Sequence, residues 1–433
     1  MLKFSQLYGL LLTLLVVLVQ YDLSIASQDV TKEAEATAIA KKTLIIVDKN
    51  NLIQDFKQSY SGLIKLIENL GHTVDVRAAD DTTLKLSKYS EFLYSNILMF
   101  CPQLDLFRGS VSLKDILEFI DSGRNLLLTG SHAPGSIIGE LANEVGFEFK
   151  ESSVKREYTK TKLNDIRHIV GDKSRYSSFS YSGTPMKMVQ SDLSLEILTN
   201  NAPVDDIRIS SSSKFISNVL IGAVQARNNA RIIASGSSEF FSNKAFESSK
   251  QSNMHLTGEL LSWLLKEKSI LRFRNVQHKK LNDDIVPVSS DIATQTHFEG
   301  YTIMDDVEYR ITIEIYENGK WSPYLADDVQ FEFVRIDPFV RQTMPHKDDG
   351  TYVARFKVPD VYGVYKMEVD YKRDGLSYLF SSTQVSVRPL RHNEYERFIY
   401  SAYPYYLSAF LMIAYLYIFT FVYLYQKKNK KDK

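Results

Sequence analysis

Paired carboxylates have the widest chemical reach in this chain. Asp80-Asp81, Asp205-Asp206, Asp283-Asp284, Asp305-Asp306, Asp327-Asp328 and Asp348-Asp349 each set two hard oxygen ligands side by side. A sugar-nucleotide transferase would use such a pair to hold a divalent metal against a diphosphate. All six fall where turns are expected, and Asp favours turns because its carboxylate bonds the local backbone, so no metal site is expected from them. Gly130-Ser131-His132 follows an apolar run, where an α/β hydrolase keeps its nucleophile, but the Gly-x-Ser-x-Gly elbow is incomplete. Cys101 closes the run Ile97-Leu98-Met99-Phe100 and reads as a buried structural thiol. The histidines are scattered and that cysteine is single, so zinc spacing is missing, as are the glycine loops that cradle nucleotides. These readings predict no catalytic residue, no cofactor and no metal. One cluster stays open. Gln225-Ala226-Arg227-Asn228-Asn229-Ala230-Arg231 would suit an anionic or sugar ligand through its guanidinium groups, and would equally suit a solvated connection between strands.

The elements that must position these residues separate by period. From residue 43 to 270, the short runs Leu44–Val47, Ile97–Phe100, Leu126–Leu128, Val219–Ile221 and Ile232–Ala234 are apolar on both faces, as strands buried in a parallel sheet must be. Between them, Tyr60, Leu63, Ile64, Ile67 and Leu70 recur at helical spacing and stop at Gly71. Leu113, Ile116, Leu117 and Ile120 do the same and stop at Gly123. This predicts a doubly wound α/β domain with a parallel sheet, whose ligands would sit beyond the carboxyl ends of the strands. Residues 151–206 are more polar and read as an insertion or connecting subdomain. After Leu271 the period becomes two. Val307, Tyr309, Ile311, Ile313 and Ile315 lead to a turn at Asn318-Gly319; Tyr365, Met367, Val369 and Tyr371 lead to Asp374-Gly375. A β-sandwich of immunoglobulin or fibronectin type is expected over 282–390.

The two ends of the chain set its address. Residues 405–425 carry no charge and at helical rise cover about 30 Å, the thickness of a bilayer core. Lys427, Lys428, Lys430, Lys431 and Lys433 follow, which orients the tail 426–433 to the cytosol. Lys430 and Lys431 sit at the spacing of a dilysine retrieval signal. Residues 1–26, with Lys3, an apolar run Leu7–Val19 and Ser24-Ile25-Ala26, read as a cleaved signal peptide. The expected topology is single-pass type I in the endoplasmic reticulum membrane, with the bulk of the chain lumenal. Lys plus Arg and Asp plus Glu both number 52, so no net field points to nucleic acid. Within the anchor, Ser408, Met412 and Tyr415 share one face at spacings of four and three, and a phenol deep in a bilayer wants a partner. We expect that face to meet another helix.

Four stretches carry a resemblance: Gln225–Arg231 with Ser235-Gly236-Ser237, Phe333–Arg341, Pro359–Val364, and Ser381–Leu390 running on to Tyr395-Glu396-Arg397-Phe398 and Ser401–Tyr406. Together they resemble the 48-kilodalton-subunit family of the oligosaccharyltransferase, which N-glycosylates nascent chains. The resemblance implies a non-catalytic subunit of the core complex, with transfer done by a separate multi-spanning subunit. It also implies pairing with ribophorin-type and defender-against-death-type membrane subunits, and an α/β part similar to flavodoxin-like and amidotransferase-like sheets without their active site. Lipid-linked oligosaccharide or nascent polypeptide would be the further contacts. The stretches around Ser131–Pro134 and 151–201 look only loosely like the family. Two readings of other classes compete: a lumenal enzyme using Ser131, His132 or an Asp pair, and a cargo receptor or adhesion module built on the sandwich.

Overall fold

The structure, a computed structural model, describes residues 41–425 apart from 90, 103, 105, 108–110, 132–135, 152–153, 160–162, 164–166, 171–175, 177, 200–214, 250–251, 282–287, 290–299, 318, 396 and 398. The expected signal peptide, the tail with Lys430 and Lys431, His132, and the pairs Asp205-Asp206 and Asp283-Asp284 lie outside the described residues.

The first lobe is built on β1 (Lys42–Val47), β2 (Thr73–Ala78), β3 (Asn96–Phe100), β4 (Asn125–Thr129), β5 (Phe147–Phe149), β6 (Val154–Thr159), β7 (Ser178–Gly183), β8 (Met186–Val189), β9 (Ser194–Thr199), β10 (Phe215–Gln225) and β11 (Arg231–Ser235). Its nine-stranded sheet runs β2-β1-β3-β4-β11-β10-β8-β5, with β9 also paired to β10. The five strands from β2 to β11 are mutually parallel. Their side chains alternate between two cores. Ile45, Leu98, Leu127 and Ile233 face α1 (Ile53–Ser59), α2 (Ser61–Asn69) and the helix Ser252–Leu264; Leu44, Ile97, Leu126 and Ile232 face α3 (Leu113–Asp121) and α4 (Ile137–Val145). Coverage on both faces is why β1, β3, β4 and β11 contain no exposed polar position, whereas β2, at the sheet edge, exposes Thr73 and Arg77. Gly71 and Gly123 end α2 and α3 at φ of +82° and +84°. Ser112 and Asp115 close a capping box at the start of α3, worth about 1 kcal/mol.

The sheet departs from a wholly parallel one. β10, which contains the apolar run Val219–Ile221, lies antiparallel to β11, and β9, β8 and β5 extend that side antiparallel. A strand covered on both faces is apolar in either direction, so composition alone leaves its polarity open. Residues 151–206 accordingly supply β8 and β9 to the main sheet, while β6 and β7 form a separate two-stranded ribbon.

The second lobe is two five-stranded sheets sharing one core of Tyr309, Ile311, Phe331, Phe333, Tyr365 and Met367 among others. One sheet holds β12 (Ile270–Lys280), β13 (Val288–Ser289), β15 (Asp306–Glu317), β16 (Lys320–Pro323) and β19 (Thr351–Lys357). The other runs β14 (Tyr301–Thr302), β21 (Leu379–Arg388), β20 (Gly363–Tyr371), β17 (Gln330–Val334) and β18 (Pro338–Thr343). Its first strand, β12, begins before the expected onset at 282. Arg272 and Arg274 there alternate with apolar residues and pair with Glu314, so the strand reads as a polar segment in sequence. α5 (Ser252–Leu264) closes the first lobe, and α6 (Tyr403–Leu424) follows the second with every side chain exposed. The span Tyr400–Leu424 is the one described helix long and apolar enough to cross a membrane.

Candidate functional site

Ligands of open α/β sheets lie beyond the carboxyl ends of the strands, where strand order reverses, here between β1 and β3. Asp48 and Cys101 follow those two strands. Burial raises the Asp48 carboxyl, and its Oδ1 finds no partner among the described residues. Cys101 is fully enclosed; burial, and then the nearby Asp48 charge, push its thiol well above the ordinary range, which suppresses the nucleophilic thiolate. Hydroxyls at this edge are committed to the backbone. Ser131 Oγ donates to Pro102 O at 3.5 Å, Ser235 Oγ donates to Ser237 O at 3.1 Å, and Ser237 Oγ donates to Ser182 O. Gly236 packs so closely that a Cβ would stand 1.7 Å from Thr184 O, so the turn after β7 caps the end of β11. None of the three serines is hydrogen-bonded to a base among the described residues. Of the six Asp pairs, Asp80-Asp81, Asp327-Asp328 and Asp348-Asp349 lie in turns, and Asp305-Asp306 ends one. Asp81 and Asp349 accept from the backbone N–H of Thr83 and Thr351, the local bonding that favours Asp there.

The opposite, amino edge is where the open cluster Gln225–Arg231 resolves. In register across four parallel strands, Asn96 Nδ2 donates to Thr43 Oγ1, Asn125 Nδ2 to Asn96 Oδ1, and the Arg231 backbone N–H to Asn125 Oδ1, at 3.2, 2.7 and 3.2 Å. The Arg231 side chain is 0% exposed and enters neither solvent nor a ligand pocket. Nε donates to Gln225 Oε1 (3.0 Å), Nη1 to Trp263 O (2.6 Å) and Lys268 O (2.9 Å), and Nη2 to Ser269 O (2.7 Å). Its guanidinium also lies 4.8 Å from the Trp263 ring centroid. Burial lowers its pKa, while the carbonyls at and beyond the end of α5 hold the cation as a helix carboxyl terminus does. Beside it, Lys266 Nζ donates to Gly123 O at 2.8 Å, and burial, then Arg231 and Arg124, bring its pKa down to about 8.

This nucleus reaches directly into the sandwich. Trp263 Nε1 donates to Gly375 O at 2.7 Å. Asn229 accepts from Tyr378 N at 2.7 Å and donates to Tyr378 O at 3.2 Å, and Ser377 N donates to Ser269 O; within the sandwich, Ser377 Oγ accepts from Leu271 N of β12 at 2.7 Å. Asn228 meanwhile donates to the last carbonyls of α3, Ile120 O and Asp121 O. The crevice left between Gln225, Arg227, Lys372, Gly375 and Tyr378 is about 10 Å³, room for one water, against the several hundred Å³ that a bound sugar would fill. The cluster is therefore an interlobe clamp. Sequence reading missed its partners Trp263, Ser377 and Tyr378 because they stand far off in the chain; the one local signal was a tryptophan at the end of a short apolar helix.

A larger cleft of about 360 Å³ opens on the sandwich beside Arg310, Gln342, Lys347 and Arg355. Both guanidiniums there are already bound to Glu308. Burial works to raise that carboxyl, and the two arginines outweigh it, leaving its pKa lowered. In α6, Ser408 Oγ donates to Tyr405 O at 2.8 Å within its own helix, and Met412 and Tyr415 are exposed on the same face.

Family comparison bears on most of the chain. The model of the OST48 N-terminal domain matches residues 34–267, and that of the OST48 middle domain matches 289–427. Curated relatives named dolichyl-diphosphooligosaccharide–protein glycosyltransferase 48 kDa subunit include one from Drosophila melanogaster, 36% identical over 90% of this chain and 94% of its own length. Those from Danio rerio (36%, 90% and 93%) and Caenorhabditis elegans (37%, 86% and 89%) match similarly. Among solved structures, ThuA-like proteins of Parabacteroides merdae and Bacteroides uniformis align with 52% and 51% of the chain at 16% and 13% identity, each at a TM-score of 0.33, too remote to assign a fold. The chain belongs to the OST48 family.

Proposed function

We propose, with that membership as the premise, that the protein is a subunit of the oligosaccharyltransferase complex, which transfers a preassembled glycan from dolichyl diphosphate to asparagine of nascent proteins. The observation that carries this reading is its match, over nine-tenths of its length, to relatives bearing that name. Within the complex it acts without an active site of its own. The hydroxyls at the sheet's carboxyl edge are tied to backbone carbonyls and its cysteine thiol is buried, which supports an accessory role, with catalysis in the multi-spanning subunit. The order of the five parallel strands, 2-1-3-4-5 by chain position, supports a flavodoxin-like origin for the first lobe.

The protein crosses the membrane of the endoplasmic reticulum once. Residues 1–26 are a removed leader, 43–270 and 282–390 are lumenal, 405–425 span, and the tail 426–433 carries Lys430 and Lys431 as a retrieval signal. Ser408, Met412 and Tyr415 meet a partner helix of a ribophorin-type or defender-against-death-type subunit. Gentle detergent extraction followed by identification of companions tests the assignment: other glycosyltransferase subunits should travel with it, and depletion should leave acceptor asparagines unmodified. If it runs alone and glycosylation persists, the reading fails. Replacing Ser408 and Tyr415 together by Leu should reduce that recovery severalfold, and undiminished recovery would remove the helix contact alone.

A further inference from the structure

The two ends of the sandwich differ. At one, the turn Lys372–Tyr378 enters the clamp of the first lobe. At the other converge three of the four stretches singled out in the sequence: the β17–β18 hairpin tip at Arg335-Ile336-Asp337, the loop Pro359–Tyr362 that opens β20, and Arg388 at the end of β21. Gly363 pairs with Val387, Val334 pairs with both Lys366 and Pro338, and Arg335 Nη1 donates to Tyr362 O at 3.3 Å. The turn at Met304 joins them, since Ile303 N donates to Arg388 O and Met304 N to Val358 O. This end is apolar where a loop end should be polar: Ile336 is 85% exposed and Tyr362 65%, with Met304, Phe339, Val361 and Val364 exposed around them.

From this same end the chain leaves for the membrane. Residues 389–399 would reach at most about 40 Å if extended. The first part, up to Glu394, is not extended: Arg388 Nη1 and Nη2 donate to both oxygens of Glu394, Arg391 N donates to Glu394 Oε2, and Glu394 N donates back to Arg391 O. α6 then begins among Tyr400, Tyr403, Tyr405 and Tyr406, the residues that a spanning helix places at the headgroup level. The tether is short, begins with a folded turn, and is rooted beside the exposed apolar residues.

We infer that this end of the sandwich rests on the lumenal leaflet, with Ile336 and Tyr362 seated in the lipid headgroup layer beside α6. The occupant is a lipid surface, and its recognition is apolar. Arg341 is ion-paired with Glu332, and Arg335 is offset by Asp337 and Asp360 in the same loops, so a zwitterionic bilayer suffices and added salt should not release it. Seated there, β20 and β21 act as a spacer of about 30 Å that sets the height of the clamp and the first lobe above the bilayer. The inference rests on the reading that α6 crosses the membrane.

The test uses the full chain in phosphatidylcholine nanodiscs. Cys101 is buried, so single cysteines can be labelled with a polarity-sensitive fluorophore without replacing it. Ile336→Cys and Tyr362→Cys should be quenched by headgroup nitroxide lipid at least about twofold more than Lys320→Cys at the far end of the sandwich, unchanged by high salt. Tyr417→Cys reports the anchor through quenching by a nitroxide deep in the acyl chain. If 417 is quenched while 336 and 362 behave like 320, the headgroup contact is overturned and the anchor stands; if 417 is also unquenched, the anchor reading itself has failed. A benzophenone amino acid at 362 in native microsomes should yield lipid adducts, and a protein adduct would show instead that a partner covers this end.

Discussion

The two ends of the sandwich hold their neighbours by opposite physics. The clamp end uses buried, directional hydrogen bonds with Arg231 and Trp263 at their centre, and leaves about 10 Å³ unfilled. The membrane end presents the exposed side chains of Ile336 and Tyr362, with a single long bond from Arg335 Nη1 to Tyr362 O between their loops. A buried polar junction is costly to leave half-made, so it specifies one orientation of the two lobes. An apolar end tolerates sliding on a fluid surface. Geometry is fixed where the lobes meet and depth where the lipid begins.

The sharpest way to break this contrast is Arg231→Met. It strands Gln225 and the carbonyls of Trp263, Lys268 and Ser269, and should cost about 3–5 kcal/mol in thermal unfolding of the detergent-solubilised chain; a loss under about 1 would mean that the clamp does not govern stability. Acid should come next. Burial brings His278 down to about 4 from 6.5, so as pH falls the unfolded chain takes the proton first. Stability present at neutral pH should be lost between about 6.5 and 4, by roughly 3 kcal/mol at the lower limit, and unfolding curves measured across that window check the sign. His278→Gln should flatten the window if His278 is its source. Asn229→Ala removes both bonds to Tyr378 and should cost about 1–2 kcal/mol, with faster proteolysis between Leu265 and Leu271 as the mark of a loosened junction. Smallest of all, Ile336→Ser should shift stability by no more than about 0.5 kcal/mol while weakening the lipid contact; a large loss would place that residue in the fold rather than at the bilayer.

Local features made several parts of this molecule legible. The runs at Leu44, Ile97, Leu126 and Ile232 are strands of the parallel half because a doubly covered strand is apolar on both faces along its middle, its buried polar residues Thr43, Asn96, Asn125 and Arg231 being bonded to one another at the amino edge. Gly71 and Gly123 end helices because those positions take positive φ. The alternation at Val307–Ile315 and Tyr365–Tyr371 gave two long sandwich strands. What escaped was whatever depends on distant partners. Val219–Ile221 runs antiparallel, and no property of an apolar triplet encodes direction. β12 begins before 282 because Arg272 and Arg274 find Glu314 across the ladder.

The sequence by itself determined the anchor, the apolar strands, the helix ends and the family, since each is a matter of adjacent residues and their period. Only the tertiary structure decided what Arg231 does. Its type and neighbours suited a ligand or solvent equally, and the choice fell to Trp263, Lys268 and Ser269, whose carbonyls converge only after helix α5 has packed against the sheet. The same holds for the membrane end, where Met304, Ile336 and Tyr362 come together because strand register sets three separate turns on one end of a sheet. Periodicity is local, whereas the partner of a buried charge is fixed by the fold.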